Sequence, residues 1–136
     1  MATITEIEGI GGAYATKLRK AGIRTTDALL KAGGTKKGRK ELAAATGFST
    51  KVLLEWVNRA DLFRVKGIGR QYSDLLEAAG VDTVVELATR KPESLLEAMA
   101  KADAKGKKRL VKQLPGLSVV KAWVKNAKTL KRAVEY

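Results

Sequence analysis

The residues of this chain best suited to chemistry are glycines and cations. Two stretches, "EGIGGAYATKLRKAGI" at 8–23 and "KGIGRQYSDLLEAAGV" at 66–81, set the same glycine turn in front of the same short helical pattern. Glycine tolerates positive φ, so the chain can reverse sharply there. The helix that follows opens with unpaired N–H groups and the positive end of its dipole, a ready anion site. A phosphate can be held at Gly9, Ile10, Gly11 and Gly12, or at Gly67, Ile68, Gly69 and Arg70, with little side-chain help. The carbonyls ahead of either turn could hold a monovalent cation. No other cofactor, no metal site and no catalytic residue is expected.

The cations supply the second signal. Lys and Arg number 27 against 14 acids, a net charge of +13. The balance is uneven: 13 bases against 6 acids over 1–66 (+7), 3 against 6 over 67–100 (−3), and 11 against 2 over 101–136 (+9). Such asymmetry points to an anionic partner, nucleic acid first among them. Two clusters, "GTKKGRK" at 34–40 and "AKGKKRLVK" at 104–112, place Lys36, Lys37, Arg39 and Lys40 opposite Lys105, Lys107, Lys108 and Arg109. Each cluster is expected before or within the first turn of a helix, where the dipole disfavours positive side chains by about 0.3–1 kcal/mol apiece. An anionic ligand relieves that cost; the plain alternative is a solvated lysine loop. Lys121, Lys125, Lys128 and Arg132 form a further basic stripe at i, i+4, i+7 and i+11, a track for phosphates or simply a solvated face.

Several function classes drop out. The chain has no Cys and no His, which removes thiol redox chemistry, thiolate or imidazole zinc sites and every His-dependent catalytic arrangement. "GIGG" does not continue to the Gly-Lys-Ser/Thr of a Walker phosphate loop. Acid pairs such as Asp74/Glu77 and Glu93/Glu97 sit at helical spacing and meet no carboxylate from another motif. The start "MATITEIEGIGG" lacks the pattern of a signal peptide, and no apolar run reaches the ~18 residues of a membrane helix. The expectation is a soluble intracellular protein, cytoplasmic, and associated with the nucleoid if it binds DNA.

The elements that must position these residues are repeated. A shift of 58 lays 7–30 over 65–88 with nine identities, among them Gly9/Gly67, Gly11/Gly69, Tyr14/Tyr72, Leu18/Leu76, Gly22/Gly80 and Thr25/Thr83. The match resumes later, pairing Trp56–Val57 with Trp123–Val124. Gly22 and Gly80 sit where a helix stops at a left-handed cap, and Thr25 or Thr26 offers the next N-cap. "GFS" at 47–49 and "GLS" at 116–118 resemble the two GIG turns, with Ser able to cap the following helix. Apolar stripes predict helices over 12–21, 50–61 and 119–134; no segment alternates as a strand does. The expected fold is all-α, in two tandem internally repeated units, 1–62 and 63–136, the second ending in a long helix. Tyr14, Tyr72, Trp56 and Trp123 are expected to point inward and pack the units into one compact body. Without aromatics interleaved among the basic runs, single-strand binding is the weaker expectation.

These residues resemble the helix-hairpin-helix family of DNA-binding motifs, whose pattern is an apolar residue, any residue, Gly-Ile-Gly, three residues, then a small one. "IEGIGGAYA" (7–15) matches with Ala15 and "VKGIGRQYS" (65–73) with Ser73; "QLPGLS" (113–118) is similar to a Leu-Pro-Gly version. The tandem arrangement looks like a duplicated helix-hairpin-helix family catalogued as a domain of unknown function. The resemblance covers nearly the whole chain. It implies a SAM-like bundle of short helices and sequence-independent binding of double-stranded DNA across the minor groove. Gly9, Ile10 and Gly11 would form one clamp, and Gly67, Ile68 and Gly69 another flanked by Lys66 and Arg70. The first departs from an ideal binder: Glu6 and Glu8 would repel phosphate, and only eight residues precede Gly9. Base-excision glycosylases share the hairpin, but their catalytic Asp is missing here, since Glu135 is the only acid beyond "LPGLS". The function expected is therefore non-catalytic DNA binding. The alternatives are a protein-interaction module, with 67–100 as its surface, or an accessory subunit of a DNA repair or processing complex.

Overall fold

The structure, a computed structural model, describes residues 2–105 and 113–136, with the Lys105 side chain left out. Among the described residues the chain is all-helical, with no strand beyond one isolated bridge between Thr3 and Thr25. A 3-10 turn (Ile4–Glu6) leads into α1 (Gly12–Lys20), α2 (Thr26–Gly33), α3 (Lys36–Thr46) and α4 (Thr50–Leu62). The chain continues through α5 (Arg70–Ala78), α6 (Val84–Ala88), α7 (Pro92–Lys105) and α8 (Leu117–Thr129).

Local chemistry explains the punctuation. The Thr25, Thr35 and Ser49 hydroxyls accept the amides of Ala28, Gly38 and Val52, capping α2, α3 and α4. α1 and α5 end alike: Ile23 N–H donates to Leu18 O and Gly22 N–H to Arg19 O, as Val81 does to Leu76 and Gly80 to Glu77. These are Schellman caps, and Gly22 and Gly80 sit at φ 88° and 92° as the sequence predicts. α6 is capped from a distance. Thr83 makes no side-chain cap bond; the buried Asp61 Oδ2 instead accepts the Val84 amide at 2.9 Å while Oδ1 holds Arg64.

Two apolar clusters form the interior. One gathers Ile4, Leu18, Leu29, Leu53 and Trp56; the other gathers Leu75, Leu87, Met99, Val120 and Trp123. Both Trp residues are buried, Trp56 in the first cluster and Trp123 in the second. α4 reaches both clusters, with Ala60 in the first and Leu62 in the second. Arg59 of α4 adds ion pairs to Asp74 and Glu77 of α5. Tyr14 departs from expectation: it is about half exposed, its ring resting against Phe48 and Trp56.

The last helix is shorter than its stripe predicts. α8 stops at Thr129, Leu130 is extended, and residues 131–136 run back across the first unit as a strap. Val134 is buried in the first cluster, a contribution of about 1.5–3 kcal/mol by analogy with other aliphatic side chains. Glu135 N–H donates to Gly34 O at 2.7 Å. A Cβ on Gly34 would lie 2.5 Å from Ala133 O, so only glycine admits the strap this closely. Arg39 completes the closure: its guanidinium donates to Gly33 O, Gly34 O and Glu135 O from a nearly fully buried position.

Candidate functional site

The two glycine turns have the same backbone. Gly9 and Gly67 lie at φ 93° and 92°, a region that L side chains rarely adopt, and Ile10 and Ile68 donate back to Ile7 O and Val65 O. Both isoleucines are buried and plug the turns into their clusters. Behind each turn stands an indole: a Cβ on Gly9 would lie 3.4 Å from Trp56 Nε1, and one on Gly67 3.2 Å from Trp123 Nε1. Ala15 and Ser73, the small residues of the two motifs, are both buried. Their amides donate to Gly11 O and Gly69 O, closing the first turns of α1 and α5.

The second glycines are different. Gly11 and Gly69 are the N-caps of α1 and α5 at φ −82° and −119°, ordinary for any residue, and a Cβ on either would meet nothing within 4 Å. Neither backbone strain nor internal packing demands glycine here. Ser or Asp would cap the helix better, as Thr25, Thr35 and Ser49 do elsewhere in the chain. Glycine leaves the first-turn amides uncapped and the space before them open. An external anion can use both.

The four glycine turns are not equivalent. Gly47 closes α3 at φ 83°, with Ser49 capping α4. Gly116, by contrast, sits at φ −72° as the N-cap of α8, and Ser118 falls inside that helix instead of capping it. The first turn has only the 3-10 segment before it, whereas the second lies between α4 and α5, a full pair of helices.

An ion pair brings the two turns together. Arg70 Nε and Nη2 donate to Glu8 Oε2 at 2.8 and 2.5 Å, across 62 residues of sequence. Glu8 therefore occupies the guanidinium that flanks the second turn. Both side chains are about half exposed. Lys66 is exposed, and its amide is fixed by Asn126 Oδ1 of α8 at 3.1 Å.

The basic residues separate into distinct groups. Lys36, Lys37 and Lys40 are exposed on the first turns of α3, but Arg39, read with them from sequence, is buried as the strap's anchor. Lys107, Lys108, Arg109 and the Lys105 side chain lie outside the described residues. On α8, Lys121, Lys125 and Lys128 line a cleft of about 500 Å³ together with Lys91, at the α6–α7 connection. Arg132 lies past the end of α8, on the strap. The acids Asp74 and Glu77 are taken up by Arg59.

Residues 8–130 match the family described as Domain of unknown function (DUF4332). The chain belongs to this family. No curated protein and no solved structure matches it. Among the described residues no helix of this DUF4332 chain is long and apolar enough to cross a membrane.

Sequence reasoning missed three features of the surface. The Glu8–Arg70 pair carries no local signal, because i and i+62 share no periodicity. Lys51 stands alone in sequence and gains charged neighbours only on folding, and Lys91, next to Arg90, meets the α8 lysines only in the fold. Tyr136 looks like a trailing residue, yet the strap carries it to the α3 lysines, where it lines a cleft with Lys36, Lys40, Lys51 and Leu54. Burial pushes its phenol above the usual range; a hydrogen bond with Thr83 opposes this, and the nearby charges of Glu86, Asp82 and Asp61 add to it.

Proposed function

We propose that this protein binds double-stranded DNA through its phosphate backbone, without catalysis and without base readout, using two helix-hairpin-helix turns of a tandem repeat. One observation carries the reading. Gly11 and Gly69 are glycines that neither φ nor packing requires, each at an uncapped helix start open to solvent. The two starts are near enough for one ion pair to span them. Amides of both helices would hold phosphates, Lys66 and Arg70 would add charge, and Lys36, Lys37 and Lys40 would extend the contact. Such a protein would work in the cytoplasm on the nucleoid.

The test is fluorescence anisotropy of a labelled random-sequence duplex across a salt series. Log affinity should fall steeply against log salt, by about 0.9 per phosphate contact, and be unchanged for a second sequence. Absence of binding at low salt, despite a charge of +13, would overturn the reading. The protein-interaction alternative draws support from one cleft of about 230 Å³ where Glu55, Glu77 and Asp82 outnumber Arg59. It predicts a complex that duplex DNA does not displace.

A further inference from the structure

We propose that the cleft between α3, α4 and the strap is a second nucleic-acid site. It takes an unpaired base on the Tyr136 ring, with the flanking phosphates on Lys36, Lys40 and Lys51. The proposal rests on the nucleic-acid reading above and extends it from paired to unpaired ends.

The residues come from three separate places. Lys36 and Lys40 lie one turn apart on α3, Lys51 opens α4, and Tyr136 arrives from the far end of the chain. All three lysines are exposed, and among the described residues none forms an ion pair. Three ammonium groups around one cleft repel each other, and an anion relieves that repulsion. Leu54 and the Tyr136 ring give the cleft its apolar lining, beside Thr50 and the buried Arg39. A volume of about 370 Å³ falls within the roughly 300–1,000 Å³ typical of small-ligand sites.

The ring is held, not loose. Arg39 and Gly34 fix the backbone of Glu135 immediately before it. Even so, Tyr136 stays 48% exposed. An immobilised aromatic face beside unpaired cations is the combination that single-stranded nucleic acid recognises, because every base has a π-face and every linkage a charge. Duplex DNA would satisfy the lysines but has no free base for the ring.

The test compares a blunt duplex with the same duplex carrying a five-nucleotide 3′ overhang, by anisotropy, for the full chain and three variants. The wild type should bind the overhang probe about tenfold more tightly, the effect of one stacked base. Tyr136→Phe keeps the ring and should keep the preference. Tyr136→Leu and the combined Lys36→Gln, Lys40→Gln, Lys51→Gln should lose it, and Tyr136→Leu should leave blunt-duplex affinity unchanged. Equal binding of the two probes by the wild type, or a preference that survives Tyr136→Leu, overturns the proposal. Thermal melts identify any variant that fails to fold, and Tyr136→Phe then decides alone: loss of the preference with the ring retained counts against stacking. The two readings fail separately. Loss of blunt-duplex binding with the overhang preference intact sinks the hairpin site, while the reverse sinks the cleft.

Discussion

Glu8→Gln isolates the ion pair that spans the two turns. The carboxylate on Arg70 stands where a phosphate oxygen would stand, so removing its charge should improve DNA binding even though a native contact is lost. Two effects contribute. At ~6 Å in water the repulsion between Glu8 and a bound phosphate is about 0.7 kcal/mol. Releasing Arg70 adds a comparable term, since the pair it leaves is half exposed and worth only about 0.2–1 kcal/mol. Together they amount to roughly a five- to tenfold tighter duplex at ~0.1 M salt, where the Debye length of ~10 Å leaves such short contacts largely unscreened. The salt dependence should steepen by about 0.9, the signature of one new phosphate contact. Anisotropy titrations of wild type and variant at four salt concentrations read both quantities. Urea melts should show a stability loss of no more than about 1 kcal/mol. If affinity falls or stays level and the slope does not change, Arg70 does not meet phosphate and the role of the second turn is wrong.

Other perturbations separate charge from architecture. Arg39→Gln should destabilise the chain by about 3 kcal/mol in urea melts, because two buried carbonyls and a part-buried one lose a charged donor; a change within 0.5 kcal/mol would return Arg39 to the surface cluster. Changing Lys121, Lys125 and Lys128 to Gln should leave the melting temperature alone and make the salt slope shallower by up to ~2.7 if all three reach phosphate. The raised Tyr136 phenol makes a pH prediction with a definite sign. Because the folded state holds that proton more tightly, its contribution is complete below the ordinary phenol pKa and is lost as pH rises through the folded value. Above about pH 10, the wild type should therefore lose stability faster than Tyr136→Phe in denaturant melts.

Much of the helical punctuation could be read in advance because its causes are local. Gly22 and Gly80 end helices by their own φ, and Thr25 caps with its own hydroxyl, so a window of six residues contains the physics. The buried faces of α4 and α8 follow from spacing for the same reason. Val134 shows where this stops: its place at i+11 from Trp123 suits a helix, but burial under the first unit pulls it into an extended strap. Arg39 has the composition of a surface cluster, and only three carbonyls brought together by folding turn it inward. Tyr14 sits on the apolar face of α1, yet Phe48 and Trp56 fill the interior before it can enter. At the candidate site the glycines were legible and the partnership of Glu8 with Arg70 was not, since no local pattern links positions 62 apart.

The strap has a consequence for how the chain is born. The first cluster is incomplete until Val134 arrives, and Arg39 has no third carbonyl until Glu135 is made. A ribosome adding roughly 5–20 residues per second needs on the order of 4–15 s to travel from residue 62 to residue 134. Throughout that interval the first unit stands with one apolar face uncovered and a buried-type guanidinium still facing water. The half that emerges first is thus the half that finishes last, and the order of synthesis is the reverse of the order of completion.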